Sequence, residues 1–395
     1  MDSSSTPKVS NKAIGFLFAT VFLDLLGAGI LIPIIPYLVK QFRSDATTVG
    51  ILSLSFSAAQ FLASPVLGVL SDRYGRRPVL LLSILGSAFG YFLFALANSL
   101  PLMFIARIID GITGGNISTA QAYIADVTPP EDRAKSFGLI GAAFGLGFVV
   151  GPALGGALSQ ISVHAPAYGA GIIALVTATF GYFTLPESLP PSQRRAGGFQ
   201  VAELNPFRPL RQVLERGELR MLLAALFVMN FAFSGLQSNF AVFTAVRMNY
   251  TASENAWTFA YIGMTAALIQ GWLVRRIAGR MNEFHMAGMG LLLLIGGFLG
   301  VAFSHRPLHL NLAIVGVSGV GFASTAMMAM LTKRVNQREQ GWLLGCTQSL
   351  LSVTRVFGPL WAGLAFDWMG SGSPYTSGAL FTAIALLLTY FASSR

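Results

Sequence analysis

The sequence predicts an all-α membrane protein with twelve transmembrane helices in two pseudo-symmetric six-helix bundles. The first observation is composition: 54% of the 395 residues are hydrophobic and 11% are charged, whereas about a quarter of residues are charged in a typical soluble domain. The second is a series of twelve long apolar runs. The third is one long polar interruption, which separates six of these runs from the other six.

Each apolar run extends for about 20 residues, which is the length that a helix needs to cross about 30 Å of hydrocarbon. We number the runs as spans 1 to 12. Spans 1 to 6 start at Ala13, Val49, Pro78, Leu102, Lys135 and Pro166. Spans 7 to 12 start at Leu219, Asn255, His285, Leu308, Gly341 and Ser377. No segment between them is long enough for a soluble domain.

The polar interruption predicts the domain organisation. We expect an N-terminal six-helix bundle over 1–185, a cytoplasmic linker over 186–218 and a C-terminal six-helix bundle over 219–395. The linker is either a solvated loop or a short surface helix whose arginines favour anionic lipid.

Basic residues predict the orientation. With the N-terminus inside, twenty of the 26 Lys and Arg residues lie at cytoplasmic ends or loops, four lie outside and two lie within spans. This asymmetry follows the positive-inside rule and predicts that both termini are cytoplasmic. The net charge of +10 therefore does not indicate nucleic-acid binding, because no soluble basic face presents these charges.

The two halves contain related segments. "GFVVGPALGGAL" in span 5 matches "TRVFGPLWAGLA" in span 11, and "GVLSDRYGRR" after span 2 has a weaker counterpart, "GWLVRRIAGR", after span 8. Repeats of this kind are typical of secondary transporters, which hold substrate near the middle of the membrane between their halves.

Four motifs carry a family resemblance, which is strongest from Asp24 to Gly171. They are "LDLLGAGILIPIIPYL" in span 1, "GVLSDRYGRRPVLLLS" after span 2, "FIARIIDGITGG" in span 4 and "GLGFVVGPALGG" in span 5. These segments resemble the major facilitator superfamily, in particular its twelve-span drug/proton antiporters and most closely the tetracycline efflux proteins. The resemblance implies the major facilitator fold and proton-coupled export of amphipathic small molecules or drugs by alternating access. The acidic residues that tetracycline proteins carry in spans 3 and 9 are absent here, so the resemblance does not carry a metal-tetracycline substrate over to this chain.

Two carboxylates are candidates for proton coupling. Of sixteen acidic residues, only Asp24 and Asp110 lie well inside spans, where a charge costs about 2.5 to 3.5 kcal/mol. Arg107 shares a helix face with Asp110 and pairs either with it or with Asp24 across the cavity. Because such neighbours shift a carboxyl pKa, we predict that Asp24 couples to protons with Arg107 and Asp110 as electrostatic partners. A static structural ion pair is the alternative.

The loop after span 2 predicts a gate. Asp72 is expected at the N-terminus of span 11, where the helix dipole is positive, and Arg76 is expected to bridge to Asp126. This latch would join the two bundles on the cytoplasmic side and favour an outward-facing state. Gly68 is expected to let helix 2 pack closely. The predicted gating residues are Gly68, Asp72, Arg73, Gly75, Arg76, Arg77 and Asp126.

The span 5 motif predicts close helix packing. Gly147, Gly151 and Gly155 recur every four residues and Gly156 follows, so we expect one small-residue face that allows close helix approach. Pro152 removes a backbone hydrogen bond and permits a kink. The resemblance implies that this face seals the protein against ion leak, and general helix packing is the alternative.

Polar residues within the other spans are candidates for substrate binding. They are Gln121, Asn230, Gln237 and Arg355. Arg355 either binds an anionic substrate group or an unidentified carboxylate, or has a structural role or reaches toward an interface. The amides either line a cavity or join helices.

Several classes of function are excluded. A single cysteine rules out an intrachain disulfide, and no His-Glu-x-x-His pattern, Walker lysine motif or catalytic triad is present. We therefore expect no enzyme, no cofactor and no metal. The expected partners are a small-molecule substrate, protons and membrane lipid, and we expect a monomer in a bacterial cytoplasmic membrane. A proton-linked sugar or organic-anion transporter and a non-transporting membrane receptor remain the alternatives.

Overall fold

The structure is a computed structural model that describes most of the chain. The residues whose backbone it does not describe are 1–10, 129–132, 196–204, 206, 208–215, 278, 337–338 and 394–395. Within helices, the side chains that it does not describe are those of residues 11–14, 16–17, 24, 116–117, 133–142, 144, 341 and 393.

Twelve helices follow the twelve apolar runs in order. The first six are α1 Asn11–Leu31, α2 Ala46–Tyr74, α3 Arg76–Ala95, α4 Leu100–Val127, α5 Arg133–Ser159 and α6 Ala165–Thr184. The last six are α7 Gly217–Arg247, α8 Ala252–Ile277, α9 Glu283–Ala302, α10 Pro307–Thr332, α11 Gln340–Met369 and α12 Ser373–Ser393. Among the described residues, ten helices are long and apolar enough to cross a membrane, and α1 and α5 contain shorter apolar stretches.

The helices pack as two bundles of six. In the first, α5 and α6 pack on α1, α2 packs on α4, and α3 packs on α4 and α6. In the second, α7 packs on α11 and α12, and α9 packs on α10 and α12. The bundles meet mainly along two helix pairs, α2 with α11 and α5 with α8. The architecture confirms the predicted fold class, while the exact domain boundaries stay a prediction.

The outer surface is apolar. Large hydrophobic side chains are exposed on α3, α6, α9 and α12, including Leu82, Phe89, Phe183, Leu292 and Leu387. So large an exposed apolar area is unfavourable in water and favourable in hydrocarbon. The packing therefore agrees with an integral membrane protein.

Alternating helix direction divides the loops between two faces. We call the linker face the one with the α6–α7 connection, the start of α1 and the end of α12. The α2–α3, α4–α5, α8–α9 and α10–α11 connections also lie there. We call the other one the opposite face.

Candidate transport site and gates

At the opposite face, carboxylates occupy the N-terminus of α2. Asp367 of α11 accepts hydrogen bonds from the backbone nitrogens of Ala46 at 3.0 Å and Thr47 at 2.7 Å, and the Thr47 hydroxyl donates to the same carboxylate. Asp45 is the helix's own N-cap and accepts from the Thr48 nitrogen at 2.8 Å. Both carboxylates satisfy free N–H groups at the positive end of the helix. One of them comes from the other bundle, so it ties the bundles together.

A second polar connection closes the same face. The Tyr37 hydroxyl donates to the backbone oxygen of Tyr250 at 2.7 Å and accepts from the Asn255 amide at 3.0 Å. The Thr244 hydroxyl donates to the Asn255 side-chain oxygen at 2.9 Å. Asn255 and Thr244 are fully buried, so water could not easily replace these hydrogen bonds if they broke. The hydrogen bonds described between the bundles hold the opposite face closed.

The glycines of α5 pack against α1. An added Cβ at Gly147, Gly151 or Gly155 would come within 3.0, 2.9 or 2.6 Å of atoms of α1. Pro152 lies inside the helix and is buried. These three glycines therefore form the closely packed face that their spacing predicts, while the role of that face in preventing ion leak stays a prediction.

Gly156 makes a different contact. An added Cβ there would lie 3.0 Å from the Cβ of Ala256 in α8, so Gly156 faces the other bundle. The prediction that all four glycines share one face was wrong for Gly156, because consecutive helix residues point about 100° apart. Gly363 occupies the matching place in the α11 repeat, and an added Cβ there would lie 2.8 Å from the Ala46 oxygen of α2. The repeated segment thus has equivalent neighbours in α5 and α11.

The helices α2 and α11 separate toward the linker face. At Gly50 an added Cβ would lie 2.5 Å from the Pro359 oxygen of α11. Gly68 lies about five turns further along the same side of α2, and an added Cβ there would meet nothing within 4 Å. The same holds for Gly345 in the linker-face half of α11. The predicted close packing at Gly68 was therefore wrong in this state, because the two bundles stand apart at this end.

A charged cluster lies at the linker face. Arg76 donates from Nε to Asp126 at 3.1 Å and pairs through Nη1 with Asp72. Nη1 also donates to the Ser71 hydroxyl at 2.6 Å, and the Arg76 backbone nitrogen donates to Glu187 at 2.9 Å. The predicted Arg76–Asp126 bridge is present. Among the described contacts, the Asp72 side chain pairs within its own bundle and not with α11, so the latch role stays a prediction.

The remaining residues of this loop shape it and anchor it. Gly75 has φ +107°, a conformation that favours glycine, and an added Cβ would collide with a carboxylate of the α6–α7 connection. The guanidinium of Arg77 lies 5.5 Å from the Tyr182 ring, and that of Arg73 lies 5.6 Å from its neighbouring tyrosine ring. Such cation–π contacts suit the membrane interface.

A buried ion pair lies near the middle of α4. Arg107 Nη1 lies 2.6 Å from Asp110 Oδ2, and the side chains are 10% and 3% exposed. The guanidinium lies 4.0 Å from the centre of the Phe56 ring of α2. The absence of a Cβ at Gly90 makes room, since one would lie 2.9 Å from the Asp110 Cβ. Of the two predicted pairings, the structure contains the one within α4; Asp24 lies in α1, and its side chain is outside the described part of the structure.

The fourth helix of each bundle is interrupted near its middle. The helix α4 breaks at Gly114 and Gly115, and α10 breaks at Ser318 and Gly319. The Gln60 amide of α2 donates to the Gly114 oxygen at 2.8 Å and satisfies an acceptor that the break frees. Interrupted helices in corresponding positions of the two halves mark the substrate site in many transporters. The Gly-Gly pair is the sequence signal for the α4 break, which the apolar-run pattern does not reveal.

The predicted substrate residues have different environments. Gln121, Gln237 and Arg355 are exposed, whereas Asn230 is half-buried and donates at 2.8 Å to a carbonyl one turn earlier in its own helix. No described hydrogen bond or ion pair joins any two of these four residues. Within the described part of the chain, no group of three His, Cys, Asp or Glu side chains is placed to hold a metal ion.

Two six-helix bundles that are closed at one face and separate toward the other, with a buried charge pair inside the first bundle, define a secondary transporter. The chain belongs to the major facilitator superfamily, whose family model matches residues 17–359.

Proteins of similar sequence and structure are also transporters. The chain is similar to the class C tetracycline resistance protein of Escherichia coli, with 33% identity over 369 residues, 91% of this chain and 92% of the relative. It is 31% identical over 416 residues to the bovine major facilitator superfamily domain-containing protein 10, covering 92% and 89% of the two chains. The crystal structure of the human organic anion transporter MFSD10 superimposes with a TM-score of 0.73 at 28% identity, covering 98% and 100%. The chain is thus an integral membrane transporter and not an enzyme.

Proposed function

We propose that this protein exports amphipathic small molecules, drugs among them, in exchange for protons by alternating access. The observation that carries the proposal is the buried Arg107–Asp110 pair. The proton affinity of a buried carboxyl rises when it loses a cationic neighbour, so a helix movement that turns the Arg107 side chain from Asp110 to another partner would change protonation. Asp24, at similar depth in α1, is the proposed coupling carboxylate. The tetracycline resistance relatives support a drug substrate, and the human relative, named as an organic anion transporter, keeps an anionic substrate open within this proposal.

The proposed orientation places the linker face in the cytoplasm. Twenty of the 26 Lys and Arg residues fall on that side, as the positive-inside rule requires. Both termini are then cytoplasmic, in a bacterial cytoplasmic membrane, and the described state is open to the cytoplasm. The proposed partners are protons, membrane lipid and the substrate, with the protein acting as a monomer.

The two gates of the proposed cycle use the same two helices, α2 and α11, with their roles exchanged. Both α2 and α11 end in Asp-x-x-Gly, Asp72 to Gly75 and Asp367 to Gly370, and both glycines have positive φ, +107° and +100°. In the described state Asp367 caps the N-terminus of α2. We propose that in the outward-facing state Asp72 caps the N-terminus of α11 in the same way. The observed cap supports the proposed one because it uses the same two helices with their roles exchanged.

Proton flux tests the proposal. Purified protein is reconstituted into liposomes that are loaded with a pH-sensitive dye and carry an acidic interior, and tetracycline, ethidium and glucose are added in turn. We expect a drug, and not glucose, to release protons from the lumen. Asp24→Asn should abolish this release while substrate still raises the Tm. Glu254→Gln removes a carboxylate from a helix cap at the opposite face and serves as the matched control. Full proton release by Asp24→Asn would rule out its coupling role.

A further inference from the structure

We propose that the substrate carries a negative charge and that Arg355 of α11 binds it. This inference rests on the proposed transport function and specifies its substrate class.

The position of Arg355 on α11 follows from its neighbours on the same helix. Gly358 packs on α7, since an added Cβ would lie 2.8 Å from the Phe231 oxygen, and the Pro359 oxygen packs on Gly50 of α2. Arg355 is three residues before Gly358 and four before Pro359, so it lies on the helix side between these two directions. It therefore faces the junction of α2 and α7, where the two bundles meet, and not the lipid.

The space in front of Arg355 is open. Arg355 is exposed although it lies in the middle of a 30-residue membrane helix. From Pro359 toward the linker face, α2 and α11 separate, and Gly68 and Gly345 both face empty space. The guanidinium is thus reachable from the linker face through the gap between the bundles.

Arg355 lacks an anionic partner among the described residues. Its described side-chain hydrogen bond is to the neutral Ser352 hydroxyl at 3.3 Å, and no described carboxylate pairs with it. The other arginine inside the described spans, Arg107, is neutralised by Asp110. A charge at this depth with no carboxylate paired to it among the described side chains is costly, and it makes Arg355 a candidate for binding. A guanidinium binds carboxylates, phosphates and sulfonates through two parallel hydrogen bonds.

The internal repeat also indicates a special role for Arg355. In the aligned segments "GFVVGPALGGAL" and "TRVFGPLWAGLA", Gly151 corresponds to Gly358, and Phe148 corresponds to Arg355. The packing glycines are kept in both halves and have equivalent neighbours, so the helix geometry does not require an arginine here. Only the second half carries a charge at this aligned position, as expected if the arginine serves substrate recognition and not packing.

Two xanthene dyes of opposite charge test the inference. Efflux of carboxyfluorescein, an anion, and rhodamine 6G, a cation, is measured in liposomes together with proton flux, and binding of each dye is measured by thermal shift. We expect a lower KM for carboxyfluorescein. Arg355→Gln should raise that KM roughly 10- to 100-fold, the loss expected for hydrogen bonds to a charged group, with little change in kcat or in rhodamine 6G transport. Arg355→Lys should restore part of the affinity.

The control is Arg306→Gln, which removes one positive charge from an exposed position at the opposite face and should leave both dyes unaffected. The inference is overturned if the wild type prefers rhodamine 6G, or if Arg355→Gln slows both dyes equally, since a structural role would do this. Proton-coupled rhodamine efflux would then leave the proposed function standing. Conversely, Arg355-dependent binding of carboxyfluorescein without any proton exchange would support the inference and refute the proposed function.

Discussion

Arg107 and Asp110 are both buried and neutralise each other. Removing one charge should therefore cost more stability than removing both. Asp110→Asn leaves Arg107 buried without a counter-charge, which is destabilising by about 3–5 kcal/mol. The double variant Arg107→Gln/Asp110→Asn removes this uncompensated charge and should recover most of the lost stability. Thermal unfolding of the wild type, the single variant and the double variant in detergent measures the difference.

Proton flux in the same variants separates a coupling role from a structural one. If the pair takes part in coupling, the double variant should be stable and still fail to exchange substrate for protons. If it regains full proton-coupled transport, the pair is a static ion pair, which is the alternative that the sequence leaves open.

At this scale the sequence predicts pairings within a helix better than contacts between helices. The three-residue spacing of Arg107 and Asp110 places them on one face whatever surrounds α4. Gly68 and Gly156 show the limit, because a glycine's contact depends on which helix stands opposite and how close it is. That distance differs along α2 within a single conformation.

At the scale of elements, the N-terminus of α2 allows a matched comparison of two carboxylates. Asp367→Asn should weaken the cap, because hydrogen bonds to a neutral amide have about half the strength of those to a carboxylate. Since Asp367 belongs to the other bundle, we expect the whole opposite face to open more often. Hydrogen exchange should rise roughly fivefold or more at the amides of Ala46 and Thr47, and also at the distant Asn255 region.

Asp45→Ala is the control for this comparison, because Asp45 caps the same helix from its own bundle. Burial alone would raise the Asp45 pKa, but hydrogen bonds from Thr48 outweigh it and lower the pKa below 3.8. The cap therefore contributes its full stability, about 0.5–2 kcal/mol, at neutral pH and loses it as the pH falls through the lowered pKa. Exchange should rise only near residue 45 in this variant. Equal exchange at Asn255 in both variants would mean that Asp367 is a local cap and not a latch.

The elements themselves were predictable because each apolar run must form its own backbone hydrogen bonds in hydrocarbon. The contact of Asp367 with the N-terminus of α2 was not predictable, although the Asp-x-x-Gly ending shared by α2 and α11 is visible in the sequence. Asp367 and Thr47 are 320 residues apart, and no local rule places them together. The breaks in α4 and α10 fall between these cases, since glycine permits an interruption but tertiary packing decides whether one forms.

At the scale of the whole molecule, alternating access requires the contact between α2 and α11 to move from one end of the pair to the other. Gly50 and Gly68 lie on the same side of α2, the first in tight contact and the second facing empty space. In the outward-facing state these roles should exchange, with the linker-face halves packed around Gly68. The two glycines are therefore chemically alike but should respond oppositely to added bulk.

Leucine at each position tests this exchange. Gly68→Leu should fold with an unchanged or higher Tm, because an added Cβ meets nothing within 4 Å in the described state and leucine favours helix by about 1 kcal/mol over glycine. Transport should nevertheless fall at least tenfold, because the linker face cannot close around the leucine. Gly50→Leu should lower the Tm, since an added Cβ already lies 2.5 Å from the Pro359 oxygen and overpacking costs about 1–3 kcal/mol. Gly288→Leu in α9, where an added Cβ also meets nothing within 4 Å, controls for bulk away from the interface and should transport normally. Wild-type transport by Gly68→Leu would show that the linker face does not close around this residue, because a tightly packed interface cannot accept four additional carbons without a measurable cost.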